Sequence, residues 1–149
     1  MDEATREFVL NIMEQANDLT LATIRPDGYP QATTLSYGHE DLTLYASIGR
    51  HSQKADNIRH CDKVSVTINT EYLDWNHIKG LSMGARAEIL TDDVDIQRAG
   101  ECLARRFPQV RELEGTDAMT EIVFLKITPL VISVLNYEKG FGHADLVTV

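Results

Sequence analysis

Short runs of alternating apolar and polar residues, each closed by turn-forming residues, recur along most of this chain. In Lys63-Val64-Ser65-Val66-Thr67-Ile68-Asn69, Val64, Val66 and Ile68 fall on one side and Ser65 and Thr67 on the other. Leu19-Thr20-Leu21-Ala22-Thr23-Ile24 has the same β-branched alternation. Successive side chains of a strand point to opposite faces, so this period buries one face and requires a sheet. Pro26-Asp27-Gly28-Tyr29-Pro30 predicts a tight reversal after the first strand, since Pro presets φ and Gly accepts positive φ. The segment Gln31 to Tyr37 then returns antiparallel. A second polar turn at Gly38-His39-Glu40-Asp41 leads into Leu42-Thr43-Leu44-Tyr45-Ala46-Ser47-Ile48, so the first three strands are expected to form a meander.

Helical spacing interrupts this pattern at three places. Phe8, Val9, Ile12, Met13 and Ala16 form one apolar stripe between Asp2 and Asn17, which predicts a packed N-terminal helix. Ser52 to Arg59 reads as a short helix with Ser52 as N-cap. Val94, Ala99, Cys102, Leu103 and Phe107 mark a longer helix from Asp92 to about Leu113, which Pro108 kinks or ends. Gly80 and Gly84 lie inside the strand-like stretch His77 to Thr91 and signal a bulge or a close backbone approach. Two final strands, Ile122–Thr128 and Val131–Leu135, are separated by Pro129. The expected class is α+β, a mainly antiparallel sheet closed into a small barrel with peripheral helices, because closure removes exposed edges.

A chain of 149 residues supports one core, so residues 1–149 are read as a single domain. The formal net charge of −9 disfavours nucleic acid as a partner, because such binding needs clustered Lys and Arg. It leaves room for a small phosphorylated ligand held by a few local donors. Cys61 and Cys102 have neither the density nor the spacing of a disulfide scaffold and read as reduced thiols. No basic segment precedes an apolar signal core and no apolar run reaches membrane-spanning length, so the expectation is a cytoplasmic protein without membrane insertion. His39, His51, His60, His77 and His143 are dispersed, without zinc-ligand spacing, and no metal site is expected.

The residues Gly49-Arg50-His51-Ser52-Gln53-Lys54 lie where a strand gives way to a helix. A helix start carries unbonded N–H groups and a positive dipole end, to which Ser52 adds a hydroxyl and Lys54 a cation. Phosphate is the natural guest of such a junction. The alternative is that Ser52 only caps the helix and that Arg50 and Lys54 are solvated. Neither a Walker loop nor a GxGxxG fingerprint is present.

Ala22-Thr23-Ile24, Asp27-Gly28-Tyr29-Pro30, Leu44-Tyr45-Ala46-Ser47, Ser52-x-Lys54-x-x-Asn57-Ile58 and Lys63-Val64-Ser65-Val66 follow one another in order. Together they resemble the pyridoxamine 5′-phosphate oxidase-like FMN-binding split barrels, over most of the span from Leu19 to Leu90. The resemblance implies that Thr33, Thr34, Leu35 and Ser36 run beside the isoalloxazine and ribityl chain. It implies that Ser47 and Ile48, with Ser52, Gln53 and Lys54, hold the polar tail of FMN. It further assigns Lys79, five positions before Gly84, to the flavin's pyrimidine edge, where a cation stabilises the anionic reduced ring. This last region departs from the family's glutamine-bearing pattern, and an exposed edge-strand lysine is the competing reading.

The function implied is FMN-dependent oxidoreduction of a small organic substrate, with no side chain strictly required as acid or base. The chain ends at Asp145-Leu146-Val147-Thr148-Val149, without the C-terminal arginine-bearing segment of the true pyridoxamine 5′-phosphate oxidases, so vitamin B6 oxidation is not the expected activity. Two alternatives stay open: a non-catalytic flavin- or haem-binding module, and a deazaflavin-dependent reductase. The resemblance also implies a homodimer with the flavin at the subunit interface. Trp75, Lys79 and the aromatic run Tyr137–Phe141 are the candidate crossing residues, and the C-terminal run is expected to be a flexible cover or a packed tail.

Overall fold

The computed structural model describes residues 1–149. In chain order the elements are α1 (Glu3–Gln15), β1 (Asp18–Ile24), β2 (Pro30–Ser36), β3 (Gly38–Glu40), β4 (Thr43–Gly49), α2 (Gln53–His60), β5 (Lys63–Asn69), β6 (Lys79–Ile89), α3 (Asp93–Arg106), α4 (Asp117–Thr120), β7 (Ile122–Asn136) and β8 (Ala144–Thr148). Single turns of 3-10 helix lie at Trp75–His77 and Tyr137–Lys139, and a longer one at Pro108–Leu113. No helix is long and apolar enough to cross a membrane.

All pairings are antiparallel, in the order β2-β1-β5-β6-β7-β4-β3, with β8 beside β7. Only Tyr37 separates β2 from β3, and these two elements occupy opposite ends of that order. One continuous segment therefore pairs with β1 through its first half and with β4 through its second, which brings the sheet round into a barrel. No ladder joins β2 itself to β4. That gap is the split in the barrel.

This arrangement corrects two sequence expectations. Gly38–Glu40 is a strand rather than a turn; the reversal falls on Asp41, with φ 53°, and β4 reaches the first hairpin only through β3. Gly38 occupies a position where a Cβ would stand 2.9 Å from the Cys102 carbonyl oxygen, so only glycine lets α3 approach this closely. The hairpin between β1 and β2 closes as expected, with Gly28 at φ +84° and the Tyr29 N–H donating to Asp27.

The two expected final strands are one strand of 15 residues. Pro129 is accommodated because it lies between partners: β4 pairs as far as Ile127, and β8 takes over from Val131. Opposite, Ala85 pairs with Pro129 and Gly84 with Val131, so Leu130 is the extra residue of a bulge. The bulge shifts the phase of alternation by one, from buried Val123, Leu125 and Ile127 to buried Ile132 and Val134. Both halves thus keep their apolar side inward. The Gly84 signal is thereby explained. Of the two readings of the aromatic run Asn136–His143, the packed one holds: it contains the 3-10 turn Tyr137–Lys139, the Tyr137 N–H donates to Ile78 O at 3.0 Å, and the Asn136 N–H donates to His143 O at 3.1 Å. Strand β8 follows it and pairs with the second half of β7.

The barrel interior is filled by Leu19, Leu21, Val66, Ile68, Leu81, Met83, Leu125, Ile127 and Ile132, each almost fully buried. Helix α1, with Asp2 as N-cap, buries Val9, Ile12 and Met13 against this core. Helix α3 instead covers the outer face of β4 and β7, where Tyr45 and Phe124 meet Leu90, Ala99, Cys102 and Leu103. It ends at Arg106, well before Leu113, and Pro108 opens the following 3-10 turn. Arg106 donates to the carbonyls of Met13, Glu14 and Ala16 at the end of α1 and to that of Tyr37, with its guanidinium 4.9 Å from the Tyr37 ring. It satisfies the carbonyls that a helix C-terminus leaves free. Burial raises the pKa of the Tyr37 phenol, against the opposing effect of Arg106, and its hydroxyl donates to Met13 O at 2.6 Å.

Candidate functional site

The start of α2 lies at the end of the barrel where β1 turns into β2. Ser52 accepts the Ala55 N–H at 3.3 Å and donates to Gly49 O at 2.7 Å, so it is the N-cap and its hydroxyl is occupied. The first backbone bond of the helix runs from Asp56 N–H to Ser52 O. The N–H groups of Gln53 and Lys54 precede it and have no partner within the helix. Lys54 is half-buried, and no carboxylate lies within 4.0 Å of its ammonium. Arg50 turns elsewhere, donating to Thr120 O at 2.8 Å and Ile122 O at 3.3 Å.

Asn57 fixes this helix start against the sheet. It is fully buried, and its amide donates to Thr23 Oγ1 at 3.0 Å and Gln31 Oε1 at 3.2 Å while accepting from Gln53 Nε2 at 2.8 Å. A buried asparagine with every bond made is a rigid connector, because any displacement would strand polar groups away from water. The link ends on Gln31, two residues before Thr33. The sequence carried Asn57 only as part of a motif; an Asn on the buried side of an amphipathic helix was the signal for its role.

The alternation of β2 separates its four candidates. Thr33 and Leu35 are half-buried and face inward, whereas Thr34 and Ser36 are exposed on the outer side. Across the split, Ser47 is exposed and Ile48 buried. One planar ligand therefore cannot meet the side chains of both Thr33 and Thr34 on the same face. What it can meet is the β2 edge itself, whose backbone groups facing β4 belong to no ladder. An unladdered strand edge beside a helix start with free N–H groups is complementary to a molecule with a ring carrying amide-type groups and a phosphate tail.

Lys79 is not part of this grouping. It opens β6 at the other end of the barrel, seven residues or roughly 23 Å along the strand from Arg86. There it pairs with Glu138 at 3.1 Å and stands 5.9 Å from the centre of the Phe8 ring. Strand β6 lies between β5 and β7, so Lys79 is not on an edge strand. Close by, Trp75 and Phe141 have ring centroids 6.0 Å apart, and Tyr137 meets Phe141 edge-on at 5.5 Å. Trp75 and Phe141 are both largely exposed. Asp74 caps this loop; the hydrogen bond from His77, at 2.7 Å, holds its carboxyl below the usual aspartate range.

The outer face of the sheet has a further property. In register across six strands run Thr34, Thr20, Thr67, Ser82, Ser133 and Leu146, and beside them Ala32, Ala22, Ser65, Gly84, Val131 and Thr148. These two rows carry no charge in a chain that is 25% charged. None of the five main cavities is lined by the candidates on β2, β4 or α2; the largest, of about 530 Å³, lies near Arg86 and Lys126.

No curated protein sequence matched the chain. Among solved structures, a Clostridium acetobutylicum protein related to general stress protein 26, of the pyridoxinephosphate oxidase family, is similar with TM-score 0.74 at 16% identity, covering 100% of this chain and 97% of that one. The haem storage protein HutZ of Vibrio cholerae has TM-score 0.70 at 14% identity, covering 94% and 91%. A haem-binding protein of Mycobacterium smegmatis has TM-score 0.81 at 17% identity, covering 99% of this chain and 59% of that one. At such identities these likenesses establish a shared fold. The model of the pyridoxamine 5′-phosphate oxidase family matches residues 1–134, nearly the whole chain, and with the split barrel it shows that the protein belongs to that family.

Proposed function

We propose that this protein is a cytoplasmic FMN-dependent oxidoreductase acting on a small organic substrate as a two-fold homodimer. The observation that carries the reading is the α2 start: two N–H groups without helical partners and the unpaired Lys54, tied by Asn57 to the open edge of β2. This donor set fits a phosphate monoester, and the β2 edge fits the ring of the same molecule. Bound FMN would supply the hydride chemistry. The residues of the chain orient and exclude. Gln53, Lys54 and the helix dipole hold the anionic tail, Thr33 and Leu35 line the inner side of the split, and Thr34 and Ser36 the outer.

Two features support the dimer. The charge-free rows across the outer face, roughly 24 Å wide, suit a self-complementary contact. The exposed Trp75 and Phe141 are of the type enriched at interface centres. In this reading Lys79 and the aromatic loop serve the partner's flavin, which reconciles their distance from α2 within one chain. Sedimentation checks it: a monomer that holds FMN stoichiometrically with undiminished affinity refutes the shared site.

FMN titration of the purified protein, beside its Lys54→Ala variant, tests the cofactor assignment. Loss of a charge-assisted contact to phosphate should weaken FMN by roughly 1.5–3 kcal/mol and leave riboflavin little changed. Equal losses for both, or no saturable flavin binding, refute the assignment. The haem-protein neighbours favour a second reading, a haem-binding module. The absorption spectrum and mass of the copurifying cofactor separate flavin, deazaflavin and haem.

A further inference from the structure

A cavity of about 450 Å³ lies between the ends of β6 and α2, the first turns of α3, and the α4–β7 junction. None of Ser52, Gln53 and Lys54 lines it. Its walls are apolar, formed chiefly by Ile89, Leu90, Ile96, Met119, Ile122 and Phe124. The charged groups on its lining are two guanidiniums, those of Arg50 and Arg59. Arg50 is held in place by two neutral carbonyls, Thr120 O and Ile122 O, and has no carboxylate within 4.0 Å. Arg59 donates to Arg50 O at 3.1 Å and makes only an exposed pair with Asp56, at 3.2 Å. Each guanidinium uses two of its five donor hydrogens in these bonds.

A positively charged lining in a chain of net charge −9 is a local feature with its own specificity. The size is within the range of small-molecule sites, and the combination of apolar walls with a few convergent donors is their usual composition. The apolar walls suit a hydrocarbon body better than a second charge, which would meet no partner on them. The arginines reject amines. We propose that this cavity binds a small apolar molecule bearing one anionic headgroup, the head on Arg50 and Arg59 and the hydrocarbon body against Ile96, Met119 and Phe124. The inference stands independently of the flavin reading.

Octanoate, octyl phosphate, octylammonium and acetate, each titrated into the full chain by calorimetry and amide NMR, test it. Octanoate or octyl phosphate should bind saturably and shift the amides of Thr91, Ile96, Met119 and Ile122, and the stronger of the two identifies the headgroup as carboxylate or phosphate monoester. Octylammonium and acetate should bind at least about tenfold more weakly, one lacking the charge and the other the hydrocarbon. Arg59→Gln should weaken the anion about tenfold or more, and Met119→Trp should block it by filling the cavity. Arg50 is left in place because it also holds the α4–β7 junction. Unchanged melting temperatures and amide NMR spectra that match the parent away from the cavity would show both variants folded. Octylammonium binding as tightly as octanoate, shifts elsewhere on the molecule, or wild-type affinity in both folded variants overturns the proposal.

Discussion

Replacing Asn57 with Leu removes the connector between α2 and the first hairpin while keeping nearly the same volume. Three hydrogen bonds vanish, to Thr23, Gln31 and Gln53, but their loss is not equally costly. Gln53 is exposed and Gln31 half-buried, so both recover bonds with water. Thr23 is 2% exposed and cannot. Its hydroxyl becomes an orphaned buried group, which costs about 1–3 kcal/mol. A central value of about 2 kcal/mol corresponds to a fall in melting temperature of roughly 4–8 °C for a chain of this length. Calorimetry on Asn57→Leu, Thr23→Val and the double variant measures it as a cycle. The double variant leaves no orphan, so it should be markedly more stable than the sum of the single losses predicts. FMN should also bind more weakly to Asn57→Leu, since the helix start is no longer tied to Gln31. A melting temperature within about 1 °C of the parent, or strict additivity in the cycle, refutes the argument.

Gly38→Ala places a Cβ against the backbone of Cys102 and should cost roughly 1–3 kcal/mol by displacing α3. Gly100→Ala in that same helix meets nothing closer than 3.8 Å and should be neutral or stabilising; the reverse order by chemical denaturation refutes the close-approach account. Asp74 is held low by the His77 hydrogen bond, so its contribution is present above the ordinary aspartate pKa and is lost as pH falls through the lowered value. His77→Ala should move its carbon-13 NMR titration midpoint upward, and an unmoved midpoint refutes the pairing. Burial raises the pKa of the Cys102 thiol, whereas Cys61 is partly exposed. A thiol reagent at pH 8 should therefore modify one cysteine quickly and the second only on unfolding, and two fast equivalents in the folded protein would contradict this.

The alternation and turn residues of the sequence were enough to place β1, β2, β4 and β5 to within a residue or two, and Ser52 was legible as the cap of α2. These features are local: a strand period, a capping hydroxyl and a Gly with positive φ act over a few residues. They also carried the class of fold and, through the ordered motifs, the family. What the sequence could not contain was partner choice. Gly38–Glu40 reads as a turn until β4 lies beside it, and Pro129 reads as a break until β6 supplies a bulge and two different strands flank it. Ala144–Thr148 is not legible as a strand, because an edge strand with little burial has almost no periodicity to detect. At the site, residue types suggested a phosphate cradle, but only the folded chain joins Asn57 to Thr23 and Gln31, 34 and 26 positions away. The same folding carries Lys79 to the opposite end of the barrel. Local conformation is determined by near neighbours, whereas which groups meet across a sheet depends on the register and closure of the whole barrel.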